Sequence, residues 1–273
     1  MSLPIPAAAV RDGLVSGRPR LTVSLARSRD DVRAAQRLRH RVFIEEMGAR
    51  IGARLSTVER DRFDPFCEHL IVRDCATGEV IGTYRLLTPE RAGRLGSFIA
   101  SAEFDLTPLE PLRAGLAELG RACIHRDYRS GAAIMLLWSG IAAFIRAQGV
   151  RHLFGCASIG MEDGGANALA VYAAVSHHLA PAQYRVIPYT SLAHVSGSGD
   201  SARARIPALL KGYLRLGAWV CGEPAWDPEF NTADLLVLLS LERLEARYAR
   251  HFGLSPESTR SPPVAPLPAV AVA

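Results

Sequence analysis

Glu118-Leu-Gly-Arg-Ala-Cys-Ile-His-Arg-Asp-Tyr-Arg-Ser-Gly-Ala-Ala-Ile134 reads without a break as strand, basic turn and helix start. Leu119 to Ile124 has strand character, Arg126 to Ser130 is a polar turn, and an apolar helical run opens at Ala132. Backbone N–H groups and the positive end of the helix meet at such a turn, which makes it a generic anion site. Glu118, just upstream, adds a carboxylate able to move a proton.

Working outward, the helix runs to Gln148 and Gly149 closes it as a C-cap. The next strand, His152 to Ala157, is then a parallel neighbour of Leu119–Ile124 through a right-handed crossover. Upstream lie a strand from Leu21 to Ala26 and a helix capped by Ser28, with Val32, Ala35, Leu38, Val42 and Phe43 at helical spacing. Residues 48–65 are polar and turn-like. His69–Arg73 and Val80–Leu87 form a hairpin around Ala76-Thr-Gly78. Downstream come a helix over Ala166–Leu179 and strands at Tyr184–Pro188, Ala218–Cys221 and Leu235–Leu241. Gly222–Asn231 is a loop, and a last helix spans about Glu242 to His251. This order predicts an α/β (α+β) fold, a mixed sheet flanked by helices. Residues 20–253 read as one domain, 1–19 as a loose arm, and 254–273, rich in Pro and Ala, as a disordered tail.

Composition bounds the partners. The net charge is +5, carried by arginines and a single lysine, Lys211. Arg-rich codon usage explains that bias as readily as an acidic carrier protein or anionic lipid headgroups do. No basic run is interleaved with aromatics, so nucleic acid is not expected. The five cysteines are scattered without a C-x-x-C pair. That argues against zinc and disulfides and for a reducing, cytoplasmic setting. His177-His178 are adjacent and cannot both face one metal on a helix, so no metal site is expected. The start has no basic segment before an apolar run, so no signal peptide is expected. The run Ala132–Ile145 falls short of the about 20 residues that span a bilayer and reads as a buried helix.

The polar residues leave alternatives open. Glu59, Asp61 and Asp64 suit a bound amine, or form a solvated loop paired with Arg60 and Arg62. Arg39 and Arg41 close the first helix and read as a solvated face. Arg85 sits between Tyr84 and Leu86; in a central strand it needs a carboxylate, and the 59–64 cluster is the natural partner. Glu118 and Arg121 face opposite sides of a regular strand. A bulge at Gly120 brings both to one face and frees an N–H as an oxyanion donor. Cys123 and Cys156 read as core residues.

A resemblance selects among these. Arg37-Leu-Arg-His-Arg-Val-Phe-Ile-Glu-Glu-Met-Gly48, Asp61-Arg-Phe-Asp64, Cys67-Glu-His-Leu70, Gly82-Thr-Tyr-Arg-Leu-Leu87, Ala102-Glu-Phe-Asp-Leu106, Glu118-Leu-Gly-Arg121, His125-Arg-Asp-Tyr-Arg129 with Gly131, and Phe154-Gly-Cys-Ala-Ser158 follow in order over roughly residues 20–190. Together they resemble the bacterial ornithine acyl-ACP N-acyltransferases of ornithine-lipid synthesis, often labelled hemolysin-like, which have the GNAT acyltransferase fold. Arg41, Phe43, Glu59, Asp61, Asp64, Arg85, Glu118 and Arg121 are also similar to positions that acyl-homoserine-lactone synthases use for substrate binding and catalysis. The turn Tyr128-Arg-Ser-Gly-Ala132 departs from the glycine-rich turn of acetyl-CoA enzymes, since Ser130 and Ala132 carry a Cβ. That suits a phosphopantetheine better than the pyrophosphate of CoA.

The resemblance implies transfer of a 3-hydroxylated fatty acyl group from acyl carrier protein to the α-amine of ornithine, with no bound cofactor. Glu118 and Arg121 are then catalytic. Arg41, Phe43, Glu59, Asp61, Asp64 and Arg85 bind the amino acid, its cationic end on the acids and its carboxylate on Arg41 or Arg85. Arg126, Arg129, Ser130, Gly131 and Ala132 hold the donor arm. The enzyme would work in the cytoplasm, with the inner membrane surface as a further partner. The rivals are an acyltransferase using acyl-CoA or another amine, including acyl-homoserine-lactone synthesis, and a non-enzymatic membrane-surface protein.

Overall fold

The computed structural model describes residues 20–52, 56–192 and 204–244. The expected arm 1–19, the tail 254–273 and the end of the last helix lie outside them. The described elements are β1 (Leu21–Leu25), α1 (Arg29–Arg39), β2 (Glu68–Asp74), β3 (Val80–Leu87), α2 (Pro89–Leu95), β4 (Phe104–Asp105), β5 (Leu116–Ile124), α3 (Ala132–Gln148), β6 (His152–Gly160), α4 (Ala166–Ala174), β7 (Ile187–Pro188), α5 (Ala208–Arg215), β8 (Trp219–Val220), β9 (Ala225–Asp227) and β10 (Thr232–Ser240). They build an eight-stranded sheet in the order β1-β2-β3-β5-β6-β10-β8, with β9 also on β10, and a separate β4–β7 ribbon. Among the described strand pairs, β5 and β6 run parallel and the others antiparallel. No described helix is long and apolar enough to cross a membrane.

Helix α1 starts at the expected cap: Ser28 Oγ accepts from Asp31 N, and Asp31 reaches back to Ser28 N. It does not continue regularly to Phe43. Over His40–Glu46 it widens into π-helical turns, a local change often found at functional sites. Helix α3 is the buried apolar helix that its composition predicts. Leu137, Ile141 and Ile145 pack on Leu70, Val72 and Tyr84 of the sheet.

Two irregularities open the sheet. Between β3 and β5 the register passes from Thr83↔Cys123 to Arg85↔Gly120, so Arg121 and Ala122 together face Tyr84. This is the expected bulge, one residue beyond Gly120, and it holds Arg121 at φ 51°. Between β5 and β6 the parallel ladder covers only Leu116–Glu118 against His152–Phe154. Beyond it the two strands no longer pair with each other, though β5 stays on β3 and β6 on β10, so the sheet splits. Gly155 sits at the fork, where an added Cβ would lie 2.1 Å from the Leu119 carbonyl oxygen. We expect Gly155→Ala to lower stability by about 1–3 kcal/mol through overpacking, read from denaturant unfolding; an unchanged midpoint would show that the fork is not tightly fitted there.

Several elements differ from the sequence reading. Helix α2, strand β4 and helix α5 were not anticipated, and β9 lies inside the expected loop Gly222–Asn231. The strand expected at Tyr184–Pro188 shrinks to Ile187–Pro188, which pairs with β4 and not with the main sheet. The helix expected over Ala166–Leu179 ends at Ala174 and passes into a tighter turn, Ser176–His178.

Candidate active site

Glu118 ends the paired part of β5, at the fork. It is 4% exposed and accepts hydrogen bonds from the N–H groups of Ile99 at 2.6 Å and Ala100 at 2.8 Å. These amides open a short turn, Ile99–Ala102. Burial pushes the carboxyl up to about 7, against the pull of those two N–H groups and of Arg85 and Arg121. An acid that titrates near neutrality suits proton transfer.

Beside it lies a charge network anchored by residues the helix turns inward. Arg39, 0% exposed, grips both oxygens of Asp64 at 2.9 and 2.8 Å. It also donates to the Glu59 carbonyl at 2.7 Å and pairs with the Glu59 carboxylate. Arg85 bridges Asp61 at 2.7 Å and Asp64 at 3.0 Å, the pairing expected of a buried strand arginine. Arg121 completes the set, 3.3 Å from Glu59 and 3.5 Å from Asp61. Burial alone would raise Asp64, but Arg39 and then Arg85 hold it well below the usual carboxylate range. Burial works against the charge on Arg85, yet Asp61 and its neighbours hold the guanidinium ionised.

This corrects two expectations. Glu59, Asp61 and Asp64 do not offer free carboxylates to a cationic substrate, because Arg39, Arg85 and Arg121 already match them. Arg39, expected on a solvated face, is turned inward, and Arg41, which the resemblance places at the amino acid's carboxylate, is exposed. The signal was present: Arg39 lies four residues beyond buried Ala35, on the apolar face of α1. Phe43 does line the site, edge-on to Phe230 at 5.8 Å, and Arg121 lies over the Phe230 ring at 4.3 Å.

The split sheet leaves a cleft lined by Phe43, Arg85, Glu118, Arg121, Arg129 and Gly131, among others. Of the expected donor-arm residues, Arg129 and Gly131 reach this cleft. Arg126 is 71% exposed in its side chain and lies outside it, beside Asp127. Ser130 and Ala132 are exposed at the turn. Gly131, at φ 99°, caps α3 in a conformation a side chain would strain, and the helix has no acid in its first turn. No side chain caps its first N–H groups. Arg129 bonds the Ile124 carbonyl at 3.0 Å and Glu46 at 2.7 Å.

A second space adjoins the cleft. Trp138, Ile141, Ala142, Ile145, Val237 and Leu239 help line a narrow apolar pocket with a cavity volume of about 80 Å³. Tyr84, Leu119, Trp138, Cys156 and Tyr213 belong to both walls. The Tyr84 and Tyr213 hydroxyls bond each other at this junction.

Glu103 and Asp234 also face the cleft and escaped the sequence reading. The signal for Asp234 is an acid inside the apolar run Ala233–Leu239. Ligand atoms of Glu103, Cys156 and Asp234 lie within 4.8 Å of one another. Burial drives the Cys156 thiol well up and the Cys123 thiol to about 12. Both therefore stay protonated, which disfavours a thiolate nucleophile.

The family model described as an acetyltransferase (GNAT) domain matches residues 38–139. L-ornithine N(alpha)-acyltransferase of Rhodobacter capsulatus is 37% identical over 84% of this chain and 93% of its own. The enzyme of that name from Brucella abortus is 36% identical over 89% and 92%. Among solved structures, TofI, in a ternary complex with an inhibitor and MTA, aligns over 88% of this chain and 99% of its own at a TM-score of 0.51 and 16% identity. BjaI, a CoA-dependent acyl-homoserine lactone synthase with SAM and isopentyl-CoA, aligns over 83% and 84% at 0.50 and 17%. The structural likenesses establish the shared fold.

Proposed function

This chain belongs to the family of L-ornithine N(alpha)-acyltransferases, and from that membership we propose that it moves a 3-hydroxylated fatty acyl group from acyl carrier protein to the α-amine of ornithine, giving a lyso-ornithine lipid. The observation that carries the reading is the meeting of three features at one cleft. These are a buried carboxyl near neutrality, the open N-terminus of α3 and an apolar pocket.

In this reading Glu118 takes a proton from the ornithine ammonium, directly or through water. The freed amine attacks the thioester carbonyl carbon. The bulge at Arg121–Ala122 interrupts the ladder and leaves an N–H for the tetrahedral oxyanion. Collapse forms the amide and expels the pantetheine thiolate, which takes up a proton. Arg121, held by Glu59 and Asp61, lends positive charge beside this point. Arg85 lines the cleft beside its partners Asp61 and Asp64, and in this reading its guanidinium faces the amino acid's carboxylate end. Arg129 and the amides after Ser130–Gly131 hold the pantetheine phosphate. Exposed Arg126 meets the acidic surface of the carrier. The amphiphilic product then passes to the inner membrane surface.

The donor is tested with purified protein, ornithine and one acyl chain presented on carrier protein or on CoA. The carrier-bound donor should show the higher kcat/KM; equal or better use of CoA would overturn the donor assignment. The apolar pocket is tested by Ala142→Phe, which fills it. We expect preference to move to shorter chains, seen as a falling kcat/KM with each added carbon. An unchanged chain-length profile would place the acyl chain elsewhere.

A further inference from the structure

The cleft carries acids on two walls, and only one wall carries arginines to match them. Glu59, Asp61 and Asp64 meet Arg39, Arg85 and Arg121. On the other wall Glu103 faces Asp234 of β10, with Asp227 adding a further negative charge. Among the described residues no arginine, lysine or histidine forms an ion pair with these three. Asp234 is 5% exposed and accepts from the Thr232 hydroxyl at 3.0 Å. Glu103 Oε2 is buried, and the group it meets is a second acid, Asp234. Two facing acids with no basic partner leave this wall short of a cation.

Resting on the acyl-transfer reading above, we propose that Glu103 and Asp234 hold the side-chain ammonium of the acceptor and thereby select a diamino acid. An ammonium brings one positive charge and three donors. The same turn fixes both ends of the acceptor: the amides of Ile99 and Ala100 hold Glu118, and Glu103 follows at the end of that turn. Burial and the charge of Asp234 push the Glu103 carboxyl well up, and the pair shares a proton. A bound ammonium takes that proton's place. A metal ion held by Glu103, Asp234 and Cys156 is the competing occupant, and a chelator separates the two.

The test compares kcat/KM for ornithine with that for norvaline, which keeps the α-amine, carboxylate and carbon chain and ends in a methyl group. A site built for a polar group rejects an analogue lacking it, here by at least about 100-fold. In Glu103→Gln and Asp234→Asn the ornithine value should fall toward that of norvaline, and the norvaline value should change less than about threefold. A parallel fall of both substrates, or an unchanged ratio, overturns the proposal. So does loss of the ornithine preference on adding a chelator. Equal use of the two amino acids by the unaltered protein also overturns it, whether or not the variants fold. An unaltered protein that acylates neither removes the acyl-transfer reading itself, and this inference with it.

Discussion

Glu118→Gln should lower kcat/KM for amide formation by about 10²–10⁴, the usual worth of a positioned proton acceptor. The carboxyl is poised for this because burial raises it to about 7, so it is half ionised at neutral pH. Below that value it is protonated and cannot take the ammonium's proton. The unaltered protein should therefore show kcat/KM falling as pH drops through about 7, tracking this carboxyl. Glu118→Gln should lose that limb along with the rate. Its amide oxygen still accepts from one of the Ile99 and Ala100 N–H groups, so circular dichroism should report an intact fold. A folded variant with an unchanged rate and the same acid limb would remove Glu118 from the chemistry.

Arg39→Met should lower stability by about 3–5 kcal/mol, the cost of removing one member of a fully buried charge network. Arg39 has no exposure, and its loss leaves Asp64 with Arg85 and the uncharged donor Gln36, and Glu59 with Arg121. Arg39→Lys should rescue little, since an ammonium cannot reproduce the paired contacts to both Asp64 oxygens. Arg41→Met, at an exposed neighbour, should stay within about 0.5 kcal/mol. Denaturant unfolding of these variants gives the comparison, and equal losses at Arg39 and Arg41 would contradict the network as drawn. Asp64 adds a pH signature. Its folded carboxyl titrates below the ordinary 3.8, so its stabilisation is full above about pH 4 and disappears as pH falls below that.

Local chemistry in the sequence carried much of this architecture. Ser28 and Asp31 mark the start of α1, and Gly149 marks the end of α3. Arg85, buried between apolar neighbours, demanded carboxylates and found Asp61 and Asp64. Gly120 announced a bulge, but the extra residue and the left-handed backbone fall on Arg121, where the guanidinium is held by Glu59 and Asp61. What stayed hidden depends on contacts between distant segments. The widening of the helix into π turns over His40–Glu46 has no local sequence period to announce it. The fork at Gly155 depends on β5 and β6 parting after three paired positions. The junction of Glu103 with Asp234 joins a turn to a strand far along the chain, and no local period reports it. Likewise the apolar pocket is assembled from α3, β6, β10 and the residues after α5.

The central claim is that this chain makes N-acyl-ornithine. Expressing it in a host that lacks ornithine lipids, and analysing the lipid extract by mass spectrometry, tests that most directly. The account predicts a new species with the mass of ornithine joined by an amide to a hydroxylated fatty acid, absent when Glu118→Gln replaces the unaltered chain. An extract without it, from cells that contain the folded protein, would contradict the account.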